Sequence, residues 1–302
     1  MKGRQLVSAG FFIDIRLYLY YMKKAILLLV SIFLILSASA QHTAEINGIQ
    51  INYESAGNGE AVIFIHGMSL DKRMWDKQWK TFSEKFRVVR YDVRGFGKST
   101  RVTATHNPVE DLKALMDFLK IDKASLIGHS MGGNIALNFS IKYPQRVSKI
   151  ISVDAIIDGF ANRTPELTQL FKEVIDTTRE KGWQVAKKIW LRSPLFKLYH
   201  ADSNSQALIE KIVSEYHGDH FYNRSWAPVY GEPSTAASLL QIKARVLIIT
   251  GEKDERTLLL VADLLHDKIA SNKKLVLSGS GHFPNLDAPG DFNKACIAFI
   301  QE

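Results

Sequence analysis

A chain of 302 residues with 46% hydrophobic and 23% charged side chains has the composition of an ordinary globular protein. These values exclude a disordered or collagen-like chain, and the lack of a 20–50-residue period excludes a solenoid. The formal net charge of +8 includes +4 from residues 1–40, where five Lys or Arg face one Asp. The remaining +4 is a mild basic bias, so we expect no nucleic-acid partner.

The N-terminal segment has the pattern of a secretory signal peptide. Met22-Lys23-Lys24 is a short basic start, Ala25–Leu36 is a continuous apolar run, and Ser37–Ala40 supplies small residues. This order predicts cleavage after Ala40 and a secreted or periplasmic protein. The run is shorter than the about 20 residues of a membrane span, so no stable membrane insertion is expected after cleavage. An uncleaved anchor is the alternative. We take Met22 as the start and residues 1–21 as an over-extended reading frame.

The cysteine content argues against disulfides and metal sites. Cys296 is the only cysteine, and no Cys/His spacing suits zinc. It lies in an apolar helical pattern, so we expect a buried small hydrophobe. No metal or organic cofactor is predicted.

Strand and helix patterns alternate along residues 41–302, the predicted mature chain. Asn47-Gly48 between two alternating segments predicts a β-hairpin over Thr43–Tyr53. Further strands are predicted at 61–65, 86–91, 124–127, 149–153, 246–250 and 275–277, and helices at 70–85, 108–119, 134–143, 257–270 and 288–301. Apolar strands that alternate with helices predict an α/β fold, with a mostly parallel sheet and helices on both faces.

The alternation is interrupted between about residues 156 and 238. This stretch is helical in pattern and rich in aromatic side chains, such as Trp183, Trp190 and Tyr230. We interpret it as a helical cap inserted over the C-terminal edge of the sheet, where open α/β sheets bind ligands. Residues 41–302 are therefore predicted to form one domain that carries the cap.

The motif Gly128-His129-Ser130-Met131-Gly132-Gly133 lies between an apolar strand and a predicted helix. In that context G-x-S-x-G is typical of a sharp turn that raises a Ser hydroxyl above a sheet. The turn is so tight that the neighbouring side chains must be small. The motif alone is a weak signal, but its context predicts Ser130 as a nucleophile.

A Ser nucleophile needs a base, and the base needs an acid to orient it. His282 is the candidate base because Gly281-His282 follows the last predicted strand, and Asp254 is the candidate acid because it follows strand 246–250. Glu252 and Glu255 are the competing acids, which we interpret as solvated loop residues. Of the other histidines, His129 is expected to point away from the reaction and His66 to support a loop.

An acyl-transfer site also needs two donors for the oxyanion. The backbone N–H of Met131, directly after Ser130, is the first candidate. The backbone N–H of Met68, which follows strand 61–65, is the second.

Five motifs together resemble the α/β-hydrolase superfamily, in its esterase, cofactor-free haloperoxidase and C–C-bond hydrolase branch. They are Phe64–Gly67, Tyr91–Ser99, Gly128–Gly133, Gly251–Asp254 and Gly281–Pro289. The resemblance covers about residues 45–302 and weakens in the cap. It implies an α/β-hydrolase fold with the triad in the chain order Ser130, Asp254, His282.

The sequence departs from this resemblance in two places. Asp287 stands where many members have Glu. Ser130 stands where haloalkane dehalogenases and epoxide hydrolases carry Asp, which argues against those two activities. The segment Asp92–Gly95 is interpreted as a loop that supports the fold.

These features predict a serine hydrolase that acts on a small-molecule substrate, a carboxylic ester, through an acyl-enzyme. A C–C-bond hydrolase or a haloperoxidase-like enzyme with the same triad is one alternative, because contacts with the cap decide the substrate. A non-catalytic ligand receptor on this fold is an alternative of another class, in which Ser130 or His282 would be expected to be lost. The sequence does not predict an oligomeric state.

Overall fold

The computed structural model describes residues 19–24, 42–223 and 228–302. The chain divides into two units, Met1–Ala40 and Gln41–Glu302. In the first unit, residues 19–24 are helical. The apolar run of the predicted signal peptide and its cleavage site after Ala40 lie outside the described residues. Among the ranges that are described, no helix has the length and apolar character needed to cross a membrane.

The second unit is built on an eight-stranded sheet in the order β1-β2-β4-β3-β5-β6-β7-β8. The strands are β1 (His42–Ile46), β2 (Ile49–Ala56), β3 (Ala61–Ile65), β4 (Arg87–Tyr91), β5 (Ala124–His129), β6 (Val147–Val153), β7 (Arg245–Gly251) and β8 (Asn272–Leu277). The β1–β2 hairpin and the β2–β4 pair are antiparallel, and the other pairs are parallel. This confirms the predicted α/β class with a mostly parallel sheet.

The burial of the strands explains their composition. Every residue of β3 and β5 is buried, because a central parallel strand is covered on both faces and has to be apolar throughout. The edge strand β8 is mostly half-buried and begins with Asn272-Lys273-Lys274. The sequence pattern therefore predicted only its apolar end, Leu275–Leu277. Lysines on an edge strand disfavour pairing with another chain.

The helices lie between and after the strands, and α4 to α8 fall in the stretch predicted as a cap. They are α1 (Asp76–Ser83), α2 (Pro108–Phe118), α3 (Met131–Lys142), α4 (Pro165–Lys181), α5 (Trp183–Arg192), α6 (Ser203–Glu215), α7 (Asp219–Tyr222), α8 (Thr235–Ser238), α9 (Arg256–Lys268), α10 (Pro284–Asp287) and α11 (Pro289–Gln301). Helix α2 begins as predicted, because the Asn107 side chain accepts a hydrogen bond from the Val109 N–H at 2.9 Å. Cys296 is fully buried on α11, which confirms its predicted burial.

Candidate active site

Ser130 occupies the turn between β5 and α3. Its backbone has φ 51° and ψ −114°, a conformation that L-residues other than glycine rarely adopt. The flanking glycines make this turn possible, since a Cβ atom on Gly132 would lie 2.2 Å from the Ile65 carbonyl oxygen. The Ser130 N–H donates to the Val153 carbonyl oxygen at 2.8 Å and anchors the turn to β6. Backbone packing therefore holds the predicted nucleophile in a strained and fixed position.

His282 and Asp254 lie on the loops after β8 and β7, and they form a hydrogen bond. The distance from His282 Nδ1 to Asp254 Oδ2 is 3.0 Å, and both residues are buried. Because a carboxylate only accepts, Nδ1 carries the proton and Nε2 is left with its lone pair. The second Asp254 oxygen accepts from the Glu255 N–H at 2.7 Å. This pairing gives His282 the tautomer that a general base requires.

The two competing acids have other partners. Glu252 is exposed, and its carboxylate accepts from Ser278 Oγ at 2.9 Å and from the Gly279 N–H at 2.7 Å. Glu255 caps α9 by accepting from the Thr257 N–H at 2.7 Å. Glu255 also accepts from the Thr164 hydroxyl at 2.6 Å. Both glutamates therefore have partners other than His282, and Asp254 is the acid bonded to His282.

One cavity of about 310 Å³ brings Ser130, His282, Met68 and Met131 together. Asp254 is not part of its wall and lies behind His282. In the described part of the chain, no hydrogen bond joins Ser130 Oγ to His282; such contacts often tighten only when substrate binds. Met131 is the first residue of α3, so its N–H has no acceptor within the helix. Met68 and Met131, whose N–H groups are the predicted oxyanion donors, thus line the same cavity as Ser130.

The walls of this cavity are mainly apolar. The predicted cap segment supplies four aromatic side chains, Phe171, Trp190, Phe196 and Tyr230. Trp190 also donates from Nε1 to Ser69 Oγ at 2.7 Å, which connects the cap to the loop that carries Met68. The polar and charged lining outside the predicted triad consists of Asn134, Asp158, Arg163, Tyr230 and His129.

His129 lies beside the predicted base, so the expectation that it points away from the reaction was wrong. Its ring centroid is 4.6 Å from that of His282, and its Nε2 is 2.7 Å from the His282 carbonyl oxygen. Burial lowers the pKa of His129 well below its ordinary value, so the ring is neutral and Nε2–H donates. His129 therefore supports the backbone of His282. His66 supports its loop as predicted, by accepting the Val93 N–H at 2.9 Å.

Asp287 has a role that its sequence pattern did not reveal. One carboxylate oxygen accepts from the backbone N–H groups of Tyr199, His200 and Ala201 at 2.7, 2.9 and 3.3 Å. The other accepts from the Gly281 N–H at 2.9 Å. A single buried side chain thus joins the segment after α5 to the loop of His282. Asp287 is 86 to 88 residues away from these three partners in sequence, so no local pattern indicates the contact.

A second buried carboxyl group lies beside the predicted acid. Polar atoms of Asp154, Asp254 and His282 lie within 4.8 Å of one another, and within the described ranges no other such group of three potential metal ligands occurs. A cation bound there would compete with the hydrogen bond between His282 and Asp254. Asp154 lies in no motif of the sequence, because it follows β6 and meets Asp254 only through the pairing of β6 with β7.

Comparison with known proteins finds a matching family model, related proteins and similar solved structures. The family model described as alpha/beta hydrolase fold matches residues 60–289. The chain is 26% identical over 272 residues to a 2-hydroxy-6-oxo-6-phenylhexa-2,4-dienoate hydrolase of Comamonas testosteroni, covering 85% of this chain and 93% of that protein. It is 26% identical over 269 residues to the bifunctional esterase/perhydrolase DCH of Acinetobacter calcoaceticus, covering 84% and 97%. The solved structure of the esterase EaEST from Exiguobacterium antarcticum has a TM-score of 0.75 at 22% identity, covering 87% of this chain and 100% of that chain.

Proposed function

The chain belongs to the alpha/beta hydrolase fold family, and on this premise we propose that it hydrolyses small carboxylic esters with Ser130 as its nucleophile. The observation that carries the proposal is the buried hydrogen bond of 3.0 Å between His282 and Asp254, with His282 and Ser130 at the same cavity. The fold is that of hydrolases with esterase, enol-lactonase and C–C-bond hydrolase relatives.

In the proposed mechanism, Ser130 Oγ attacks the ester carbonyl carbon while His282 Nε2 takes the hydroxyl proton. The negative charge that forms on the carbonyl oxygen is stabilised by the N–H groups of Met68 and Met131. When the tetrahedral intermediate collapses, the bond to the alcohol oxygen breaks and His282 returns the proton to that oxygen. Water then attacks the acyl-enzyme, again with His282 as base, and releases the acid and Ser130.

Asp254 stabilises the imidazolium that forms in each step and keeps Nε2 directed at the reaction. The cavity of about 310 Å³ is at the small end of ligand cavities, and its lining is mainly apolar. Such a space suits a compact acyl group better than a long chain or a polymer. The proposed substrate is therefore a small ester.

A panel of 4-nitrophenyl esters tests this proposal. We expect turnover of the acetate and butanoate esters and a much lower kcat/KM for the palmitate ester, since its chain exceeds the cavity. A fluorophosphonate probe should label one peptide, the one that contains Ser130. An enzyme without ester turnover that also resists the probe would contradict the proposal and favour a non-catalytic receptor.

C–C-bond hydrolysis is the second candidate, and the similarity to the Comamonas testosteroni dienoate hydrolase favours it. It would use the same three side chains, with the cap deciding which substrate is admitted. Turnover of a 2-hydroxy-6-oxo-dienoate with a kcat/KM at least a hundredfold above that of every ester would favour this candidate. Comparable or lower turnover would favour the esterase.

We also propose that the protein is exported and that its mature form begins at Gln41. The support is the order of basic, apolar and small residues between Met22 and Ala40. Expression from Met22 in a Gram-negative host should give periplasmic protein whose N-terminal sequence starts at Gln41. Protein that stays in the membrane fraction with its leader attached would show an uncleaved anchor instead.

A further inference from the structure

Asp154 is held in an unusual position beside the proposed triad. It directly follows β6, it is 1% exposed, and its backbone φ is +41°, in the left-handed region. Its N–H donates to the Ile249 carbonyl oxygen in β7 at 2.9 Å. A left-handed Asp costs conformational free energy and persists where the surroundings determine it. The sheet therefore directs this side chain toward the end of β7, where Asp254 follows.

The contacts of the Asp154 carboxyl group are too few for a buried anion. Oδ1 accepts from the Gly251 N–H at 3.1 Å, whereas Oδ2 is buried and receives no hydrogen-bond donor from the described residues. No Lys or Arg side chain is ion-paired with it in this part of the chain. A buried carboxylate with one donor and no counter-ion is strongly disfavoured.

The groups that face Asp154 explain whether its carboxyl group is protonated or ionised. The titratable ones are Asp254, on the loop after β7, and His282, on the loop after β8. Burial and, to a smaller extent, the charge of Asp254 raise the pKa of Asp154 well above its ordinary value. The Gly251 N–H, which donates to Oδ1, lowers this pKa by a smaller amount. Burial beside a second carboxyl group favours the protonated form, so Asp154 holds a proton in the folded state.

We propose that Asp154 is a positioning residue of the triad, which keeps its proton and donates a hydrogen bond to Asp254. Asp254 then accepts three hydrogen bonds, from Asp154, from the Glu255 N–H and from His282 Nδ1. The bond from Asp154 fixes the orientation of the Asp254 carboxylate. The His282 proton therefore stays on Nδ1, and a single negative charge faces the imidazolium.

This inference rests on the proposed serine mechanism, and a pair of substitutions tests it. Asp154→Ala removes the donor, and we expect kcat for ester hydrolysis to fall by about 10–100-fold with little change in KM. A fall of this size corresponds to the loss of one hydrogen bond to a charged group. In Asp154→Asn the amide N–H can donate to Asp254 in the same way. This conservative variant should restore kcat to within about threefold of the parent enzyme. Asp291→Ala, an exposed change on α11, serves as the control.

The pH dependence distinguishes a protonated Asp154 from a purely structural contact. In the parent enzyme kcat should decline as pH rises through the raised folded-state pKa of Asp154 and its proton leaves, and this decline should be absent in Asp154→Asn. Because the folded-state pKa of Asp154 is raised, the parent loses stability as pH rises from about 4, the ordinary Asp pKa, toward the folded value. The Asn variant does not titrate, so its Tm advantage over the parent should grow across this range.

Three results would overturn the inference. The first is an Asp154→Asn variant as impaired as Asp154→Ala, which would mean that Asp154 acts as an anion. The second is a Tm difference between parent and Asn variant that does not change with pH. The third is activity lost on dialysis against EDTA and restored by a divalent cation, which would make the three side chains metal ligands. The Tm measurement needs no turnover, so failure of the esterase proposal can be distinguished from failure of the inference about Asp154.

Discussion

Substitution of Ser130 by Ala is expected to reduce kcat for ester hydrolysis by about 10⁴–10⁶-fold, with the Tm almost unchanged. The change removes the attacking oxygen, and no other hydroxyl side chain is raised on the turn between β5 and α3. Activity above the uncatalysed rate should persist, because the N–H groups of Met68 and Met131 still stabilise an oxyanion formed by attack of water. The measurement is kcat and KM for 4-nitrophenyl butanoate, together with thermal unfolding.

Ser125→Ala is the matched control, because it removes a hydroxyl group from β5, the strand that leads into the Ser130 turn. Ser125 is 1% exposed and its Oγ has no hydrogen-bond partner in the described part of the chain. We expect kcat within about twofold of the parent enzyme, since the lost group is remote from the cavity. A Ser130→Ala variant that keeps more than about 1% of the parent kcat would contradict the nucleophilic role.

Local patterns predicted much of the fold. The hairpin around Asn47-Gly48 and the strand Ala61–Ile65 have the predicted positions, because turn chemistry and runs of buried residues are encoded in consecutive residues. The same holds for the turn at Ser130, where Gly132 is required by the close approach of the Ile65 carbonyl oxygen. Features that depend on a few residues adjacent in sequence can be predicted without a structure.

Features that depend on strand pairing or on packing of the predicted cap could not be predicted from short sequence patterns. Asp154 and Asp254 are 100 residues apart and become neighbours only because β6 pairs with β7. The interaction of His129 with the His282 carbonyl group joins residues 153 positions apart. Asp287 likewise meets residues 199–201 through tertiary packing alone. In each case the chemistry of one side chain is set by a partner that no short motif contains.

Asp254→Asn is expected to reduce kcat by about 10⁴-fold while leaving the fold intact. The shape of the side chain is kept, but the amide can turn its N–H toward His282 Nδ1. The imidazole would then carry its proton on Nε2 and could not accept the proton of Ser130. Glu252→Gln is the control, because this exposed acid is bonded to Ser278 and Gly279 instead. A loss of activity in the Glu252 variant and none in the Asp254 variant would reverse the assignment of the acid.

The same isosteric change at the two adjacent carboxyl groups should have opposite consequences. Asp254 accepts the His282 Nδ1 proton at 3.0 Å, and an amide in its place supplies a donor where an acceptor is needed. Asp154 is proposed to donate, and an amide in its place supplies a donor where a donor is needed. We therefore expect Asp154→Asn to differ from Asp254→Asn by about 10³-fold or more in kcat, measured under one set of conditions. Equal losses in both variants would mean that the two carboxyl groups act as one anionic pair, and that His282 is oriented by both of them.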